Sequence, residues 1–203
     1  MTDNLMYASV EDTMMFLELT RGLPNLSGFN GTGKDEHGDP IPYGLGPHSV
    51  RCIREVCETT RPNSILEIGF NLGYSASMWL YFTSADLVSV DISDKKETLA
   101  AASTLQERHP GRFQFICSDS ALVAPLLAGK QFDLIFIDGG HLEHHVMNDI
   151  GLAKSLDIPN LCFDDWLPQF GPGVQPAIQK YDLDVVKVLG NIALARWSEL
   201  PLP

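Results

Sequence analysis

Between residues 64 and 165 the chain alternates short runs rich in β-branched and aromatic residues with segments of helix length: SILEIG, LVSVD, FQFIC, FDLIFID and NLCFDD. Runs this continuously apolar suit strands buried on both faces, and strands alternating with helices build βαβ units around a parallel sheet. The intervening stretches, roughly 73–83, 94–107, 120–128 and 141–156, start near Ser, Asp or Gly and stop near Gly, Pro or Asp, as helices do. Near the C-terminus DVVKVLG and NIALARW meet at Gly190-Asn191, which predicts a hairpin closing the sheet with one antiparallel strand. The expected fold is α/β, a doubly wound, mostly parallel seven-stranded sheet with a C-terminal antiparallel hairpin.

With 203 residues, 44% of them apolar, the chain suffices for one domain with a real core. That domain is expected to span 1–203, with an N-terminal helix and loop over 1–46 and the core over 47–203. The net charge of -12 repels phosphate backbones and anionic lipid, and no block of Lys or Arg offsets it. Nucleic acid and membrane surfaces are therefore poor partners, and a small molecule is the expected one. Cys52, Cys57, Cys117 and Cys162 are scattered without metal-type spacing, and no apolar signal region opens the chain, so a reduced, cytoplasmic protein is expected. No apolar run reaches the ~18 residues of a membrane span.

In the first 60 residues, Ser9 to Asp12 resembles a helix start, and PHSVRCIREVCETT reads as a second helix leading into the first strand of the core. Residues 22–46 between them, rich in Gly, Pro, Asn and Asp, are expected to form a substrate-side lid. Apolar surface on the N-terminal helix leaves a homodimer open. GFNGTGKD, residues 28–35, imitates a phosphate-binding loop but ends in Asp35 where Ser or Thr should hold magnesium, and it follows a helix where a strand is needed. Nucleotide phosphate binding is not expected there.

ILEIGFNLGYSASMWL, residues 65–80, carries the most chemistry: an apolar strand, an acid, Gly-x-x-x-Gly, then a helix. In an open parallel sheet the ligand crevice lies at the carboxyl ends of the strands, where the strand order reverses. Gly69 and Gly73 let a backbone approach a ligand, Glu67 offers a partner for an ammonium group, and Ser75 at the helix start one for a carboxylate. A plain tight turn is the alternative. Asn71 and Tyr74 replace glycines that a dinucleotide fingerprint needs, which disfavours a pyrophosphate. LVSVD ends at Asp91, about twenty residues after the glycine turn, where a carboxylate accepts both hydroxyls of a ribose. Ser118, Asp119 and Ser120 stand at a helix start, either to hydrogen-bond an adenine or simply to cap. Together the three strand ends describe an adenosyl group with an amino-acid tail.

LEIGFNLGYSA, VSVDIS, FDLIFIDGGH and LCFDDW, in this order over roughly residues 60–170, resemble the class I S-adenosylmethionine-dependent methyltransferases, which have a Rossmann-like sheet. Within them the chain is similar to the metal-dependent small-molecule O-methyltransferases of the catechol and macrolide-sugar (macrocin) types. The resemblance implies that Glu67, Gly69, Asn71, Gly73 and Ser75 hold the methionine part of S-adenosylmethionine, that Asp91 binds its ribose, and that Ser118, Asp119 and Ser120 lie near its adenine. In such a fold the fourth and fifth strands are neighbours, so Asp138 and the pair Asp164-Asp165 converge. Three carboxylates that close repel one another unless a cation intervenes, and hard oxygen ligands suit Mg²⁺. The relatives chelate their cation with an Asp after the fourth strand and an Asp-Asn or Asp-Asp pair after the fifth. The alternative is that Asp164 or Asp165 only caps the next segment.

His141 lies three residues after Asp138, where catechol-type relatives place a lysine base and macrolide-sugar relatives can place a histidine; an imidazole suits an alcohol acidified by Mg²⁺. HLEHH lacks the His-Glu-x-x-His order of zinc proteases, so His144 and His145 read as surface or supporting residues. The leading expectation is methyl transfer from S-adenosylmethionine to a hydroxyl of a small molecule, with Asp138 and His141 at the chemistry. The alternatives are an NAD(P)-dependent oxidoreductase on a similar sheet and a non-catalytic protein that binds S-adenosylmethionine. Trp166, Phe170, Phe29 and Tyr43 are candidate walls of the acceptor pocket, or ordinary packing. A catechol, a sugar hydroxyl and other natural-product alcohols all remain open as acceptors, as do carboxyl and nitrogen groups.

Overall fold

The structure, a computed structural model, describes residues 8–24, 33–34, 40–41 and 45–198. In chain order the elements are α1 (Val10–Leu19), β1 (Gly33–Lys34), β2 (Pro40–Ile41), α2 (Pro47–Thr60), β3 (Ser64–Ile68), α3 (Tyr74–Phe82), β4 (Asp86–Asp91), α4 (Lys96–Arg108), β5 (Phe113–Cys117), β6 (Leu134–Ile137), α5 (Glu143–Ser155), β7 (Asn160–Phe163), α6 (Val174–Lys180), β8 (Leu183–Leu189) and β9 (Ile192–Trp197). β1 and β2 form a two-residue antiparallel ladder, while the remaining strands make one sheet in the order β5-β4-β3-β6-β7-β9-β8. All pairings from β5 to β7 are parallel, and β9 runs antiparallel to both of its neighbours. This is the expected α/β sheet, with the hairpin turning at Gly190-Asn191.

Strand parity sorts the core into two layers. Ile65, Leu87, Leu134 and Phe136 face α2, α3 and α4, whereas Leu66, Ile68, Val88, Ile135 and Ile137 face α5 and α6. Both layers are closed by helices with an apolar stripe. In α2, Val50, Ile53, Val56 and Cys57 fall on one side at helical spacing and are all buried. Pro47 starts α2 where no N–H is needed, and Arg61, left-handed at φ 46°, stops it. Ser9 and Asp12 form the expected capping box of α1.

One local expectation needs correction, and one helix went unread in the sequence. Residues 120–128 form two short 3₁₀ turns, Ser120–Leu122 and Ala124–Leu127, in place of a helix. Pro125 has no N–H to return to the carbonyl of residue 121, which breaks an α-helical ladder there. Conversely, the stretch after Trp166 contains α6, masked in the sequence by Gly171, Pro172, Gly173 and Pro176; Pro176 sits in the first turn, where its missing donor is harmless. The expected lid lies mostly outside the described residues, as do Phe29, Tyr43 and all of GFNGTGKD except Gly33–Lys34. No helix among the described residues is long and apolar enough to cross a membrane. Cys52, Cys57 and Cys162 are buried free thiols, and Cys117 is exposed.

Candidate active site

The strand order reverses between β3 and β6, and a cavity of about 890 Å³ opens there at the carboxyl ends of the strands. Gly69, Asn71, Ser75, Asp91, Ser118, Asp119, Ser120, Asp138, His141, Asp164 and Asp165 all line it. Glu67 and Gly73, nominated with them, do not.

Glu67 shares strand parity with Ile65, so its side chain enters the α2–α3 layer, where it is fully buried. Ser75 Oγ donates to one carboxyl oxygen at 2.5 Å, and Ser89 Oγ, its register partner on β4, donates to the other at 2.5 Å. Burial pushes the Glu67 carboxyl up to about 7, against the pull of the two serines. The same bond turns the Ser75 hydroxyl away from the cavity. Gly73 is the left-handed residue that starts α3, and a Cβ there would collide with Phe70 at 2.8 Å. Its role is to let the turn pack on Phe70.

Asp91 lines the cavity, but its carboxylate already accepts three amides: Phe70 N at 2.8 Å and Asn71 N at 2.7 Å on one oxygen, Ser93 N at 2.8 Å on the other. It ties the glycine bend after β3 to the end of β4. Gly69 is required by a neighbouring strand, since a Cβ built on it would stand 2.0 Å from the carbonyl oxygen of Asp138. Asp119 caps the first 3₁₀ turn through Ala121 N at 2.9 Å, and Ser118 Oγ donates to the carbonyl of Asp119.

At the other end of the cavity the polar groups crowd. Asp138, His141 and Asp165 each present one ligating atom, and these atoms lie within 4.8 Å of one another. This group has His141 where the sequence proposed Asp164, which is buried behind it and hydrogen-bonded to Asp138. Burial, then the charges of Asp164, Asp165 and Glu67, hold the Asp138 carboxyl well above its ordinary range, and Asp164 is pushed up to about 7 by burial and by Asp165. His141 Nδ1 stands 2.6 Å from Asp165 Oδ2, a contact that raises the imidazole pKa. The other oxygen of Asp165 accepts Asn191 Nδ2 at 2.7 Å, while Asn191 Oδ1 accepts Leu167 N at 2.9 Å. Asp165, left-handed at φ 53°, is thus clamped between α5's leading loop and the β8–β9 turn.

His48, Asp149 and Asn191 line the cavity and escaped the sequence reading, and His145, read as a surface or supporting residue, lines it too. Asp149 did leave a signal, because it sits at the apolar spacing of Val146, Ile150 and Ala153 on α5. Asn191 left none beyond its place in the hairpin turn. His145 packs on Gly140, where a Cβ would meet its Nδ1 at 2.2 Å. His48 lies at the start of α2, and burial lowers its pKa.

Residues 66–166 match the family model described as "Methyltransferase domain". This part of the chain is a methyltransferase domain, built on the fold of the class I S-adenosylmethionine-dependent methyltransferases. The Podospora anserina methyltransferase PaMTH1, bound to SAH, superposes with a TM-score of 0.64 at 18% identity, over 95% of this chain and 90% of that one. The O-methyltransferase TomG of Streptomyces achromogenes, involved in tomaymycin synthesis and in complex with SAM, gives 0.64 at 16% identity over 95% and 92%. An O-methyltransferase from Bacillus cereus, in complex with SAH, gives 0.61 at 16% over 94% and 93%. At such identities the likeness shows the fold. No curated protein matches the sequence.

Proposed function

We propose that this chain is an S-adenosylmethionine-dependent O-methyltransferase acting on a hydroxyl of a small molecule, with a divalent cation at its acidic end. One observation carries the reading: a single cavity joins the glycine bend of β3 to the Asp138, His141 and Asp165 group. The family match and the solved relatives that hold SAM or SAH support the cofactor.

The acidic residues fit a cation such as Mg²⁺. Three carboxylates share a small space, two of them forced toward their protonated forms, and a hard divalent ion relieves that crowding. Asp138 and Asp165 would hold it, with buried Asp164 next to them and the His141 imidazole beside the group. When bound, S-adenosylmethionine supplies an electrophilic methyl group on a sulfonium, and the cation supplies charge that acidifies a hydroxyl. The protein's own part is positioning and proton transfer. Nδ1–H of His141 donates to Asp165, which fixes the tautomer and leaves Nε2 to take the acceptor's proton. Asn191 holds Asp165, and Asp91 holds the glycine bend against which the cofactor lies. Alignment of the two reactants in one cavity supplies the remaining rate.

Titration calorimetry with S-adenosylhomocysteine should show micromolar binding, and labelled methyl should pass from S-adenosylmethionine to a member of a panel of catechols, sugars and other alcohols when Mg²⁺ is present. A folded protein that does not bind S-adenosylhomocysteine overturns the reading. Turnover undiminished by EDTA removes the cation from it.

A further inference from the structure

The β8–β9 hairpin contributes Asn191 to the cavity wall, and the sheet puts it there. β9 runs antiparallel to β7 with Phe163 opposite Ala193, so the same register carried two residues past the ladder sets Asp165 opposite Asn191. Asn191 then takes hold of three consecutive residues. Its Nδ2 donates to Asp165 Oδ1 at 2.7 Å, its carbonyl accepts Trp166 N at 2.9 Å, and its Oδ1 accepts Leu167 N at 2.9 Å. These partners fix which way round the side-chain amide sits, because Leu167 N–H only donates and a carboxylate only accepts.

The other oxygen of Asp165 is held as firmly. His141 Nδ1 stands 2.6 Å from Oδ2, and the carbonyl of His141 in turn accepts Gly173 N at 3.0 Å. Gly171 closes a further side, since a Cβ on it would stand 2.2 Å from the Asp165 carbonyl oxygen and 2.9 Å from the Asp165 Cβ. A carboxylate with a donor on each oxygen and a packed backbone does not turn to suit an ion; the ion has to suit it. Mg²⁺ demands near-ideal octahedral geometry and gains from a ligand set in advance. Ca²⁺ takes more oxygens in flexible arrangements and gains from carboxylates free to turn and bind through both oxygens. Resting on the divalent-cation reading above, we propose that Asn191 is a positioning residue that sets which cation the site takes: by holding Asp165 from the hairpin side it favours Mg²⁺ over Ca²⁺. It acts through Asp165, as the outer groups of metal sites do.

The test is competition for Mn²⁺ on the full chain, with free Mn²⁺ followed by electron paramagnetic resonance and Mg²⁺ or Ca²⁺ as competitor. In the wild type, Mg²⁺ should displace Mn²⁺ at concentrations on the order of tenfold lower than Ca²⁺ does. Asn191→Ala removes the donor to Asp165 and should weaken Mg²⁺ by about 10–100-fold and Ca²⁺ by no more than about threefold, which abolishes the preference. Asn191→Asp keeps an acceptor for Leu167 N and loses only that donor; its added charge attracts both ions, so the ratio is what is read, and it should fall as in N191A. A wild type without preference overturns the assignment, as does a variant in which both ions shift in step, the result of a merely structural role. Should N191A not fold, N191D decides the matter. A wild type that binds S-adenosylhomocysteine but no Mn²⁺ overturns the cation reading itself, a separate result from Mn²⁺ bound without preference between its competitors.

Discussion

The two ends of the cavity handle buried charge in opposite ways. At the β3–β4 end the acids are matched within the protein: Glu67, which lies outside the cavity, by two serine hydroxyls, and Asp91, which lines it, by three backbone amides. At the β6–β7 end Asp138, Asp164 and Asp165 face one another, with one imidazole and one amide among them. The first arrangement makes a rigid bend that needs no ligand to be complete. The second is electrostatically unfinished and recruits positive charge, as protons or as a cation. A binding end and a reacting end are thereby distinguished by the satisfaction of their polar groups, before any ligand is considered.

Removing one carboxylate from each end separates the two behaviours. Asp138→Ala should lower turnover by about 1000-fold or more while S-adenosylhomocysteine affinity, measured by calorimetry, changes only a few-fold. An equal loss in both quantities would mean that the ends are not distinct. Glu67→Gln acts on stability. The Glu67 carboxyl stands at about 7 in the folded protein against an ordinary 4.5. Below pH 4.5 both states keep the proton. As pH rises toward 7 the unfolded chain releases it first, so stability falls, and above 7 the loss is constant, on the order of 3 kcal/mol. Denaturant melts of wild type and E67Q across pH 4 to 8 should therefore diverge over that window, the variant falling less; parallel curves would remove the buried charge from the account.

His141→Ala should reduce kcat by about 100-fold with KM little changed, the loss expected for a proton acceptor. A rise in KM alone would make His141 a binding group. The smallest effect belongs to Asp91→Asn, whose amide cannot accept on both sides at once. It leaves at least one backbone N–H of the bend without its partner, a loss of about 1–2 kcal/mol in chemical denaturation. An unaltered midpoint would show that the bend holds without that tie.

The sheet was legible because each strand is a short apolar run with its ends marked, and α2 matches its quoted residues from Pro47 to Thr60. The 120–128 segment misled because its Ser start and its apolar residues resemble a helix, and the one proline decides otherwise. Within the cavity, the positions at strand ends could be read from order along the chain: Asp91, Asp138, Asp164 and Asp165. Direction was harder. Glu67 lies inside the strand and points to the layer of Ile65, which parity alone would have shown. Asp149 carried a readable mark, an acid on an apolar stripe. Asn191 could not be read, since its contact with Asp165 exists only because β9 inserts beside β7, a pairing between distant parts of the chain.

The bare α-carbon of residue 69 presses directly on the carbonyl of Asp138. The bend that cradles one reactant and the strand end that carries the acids therefore share a single party wall, one hydrogen atom thick. Enlarging residue 69 by a methyl would act as a wedge, altering the gap between donor and acceptor compartments without touching any group that reacts.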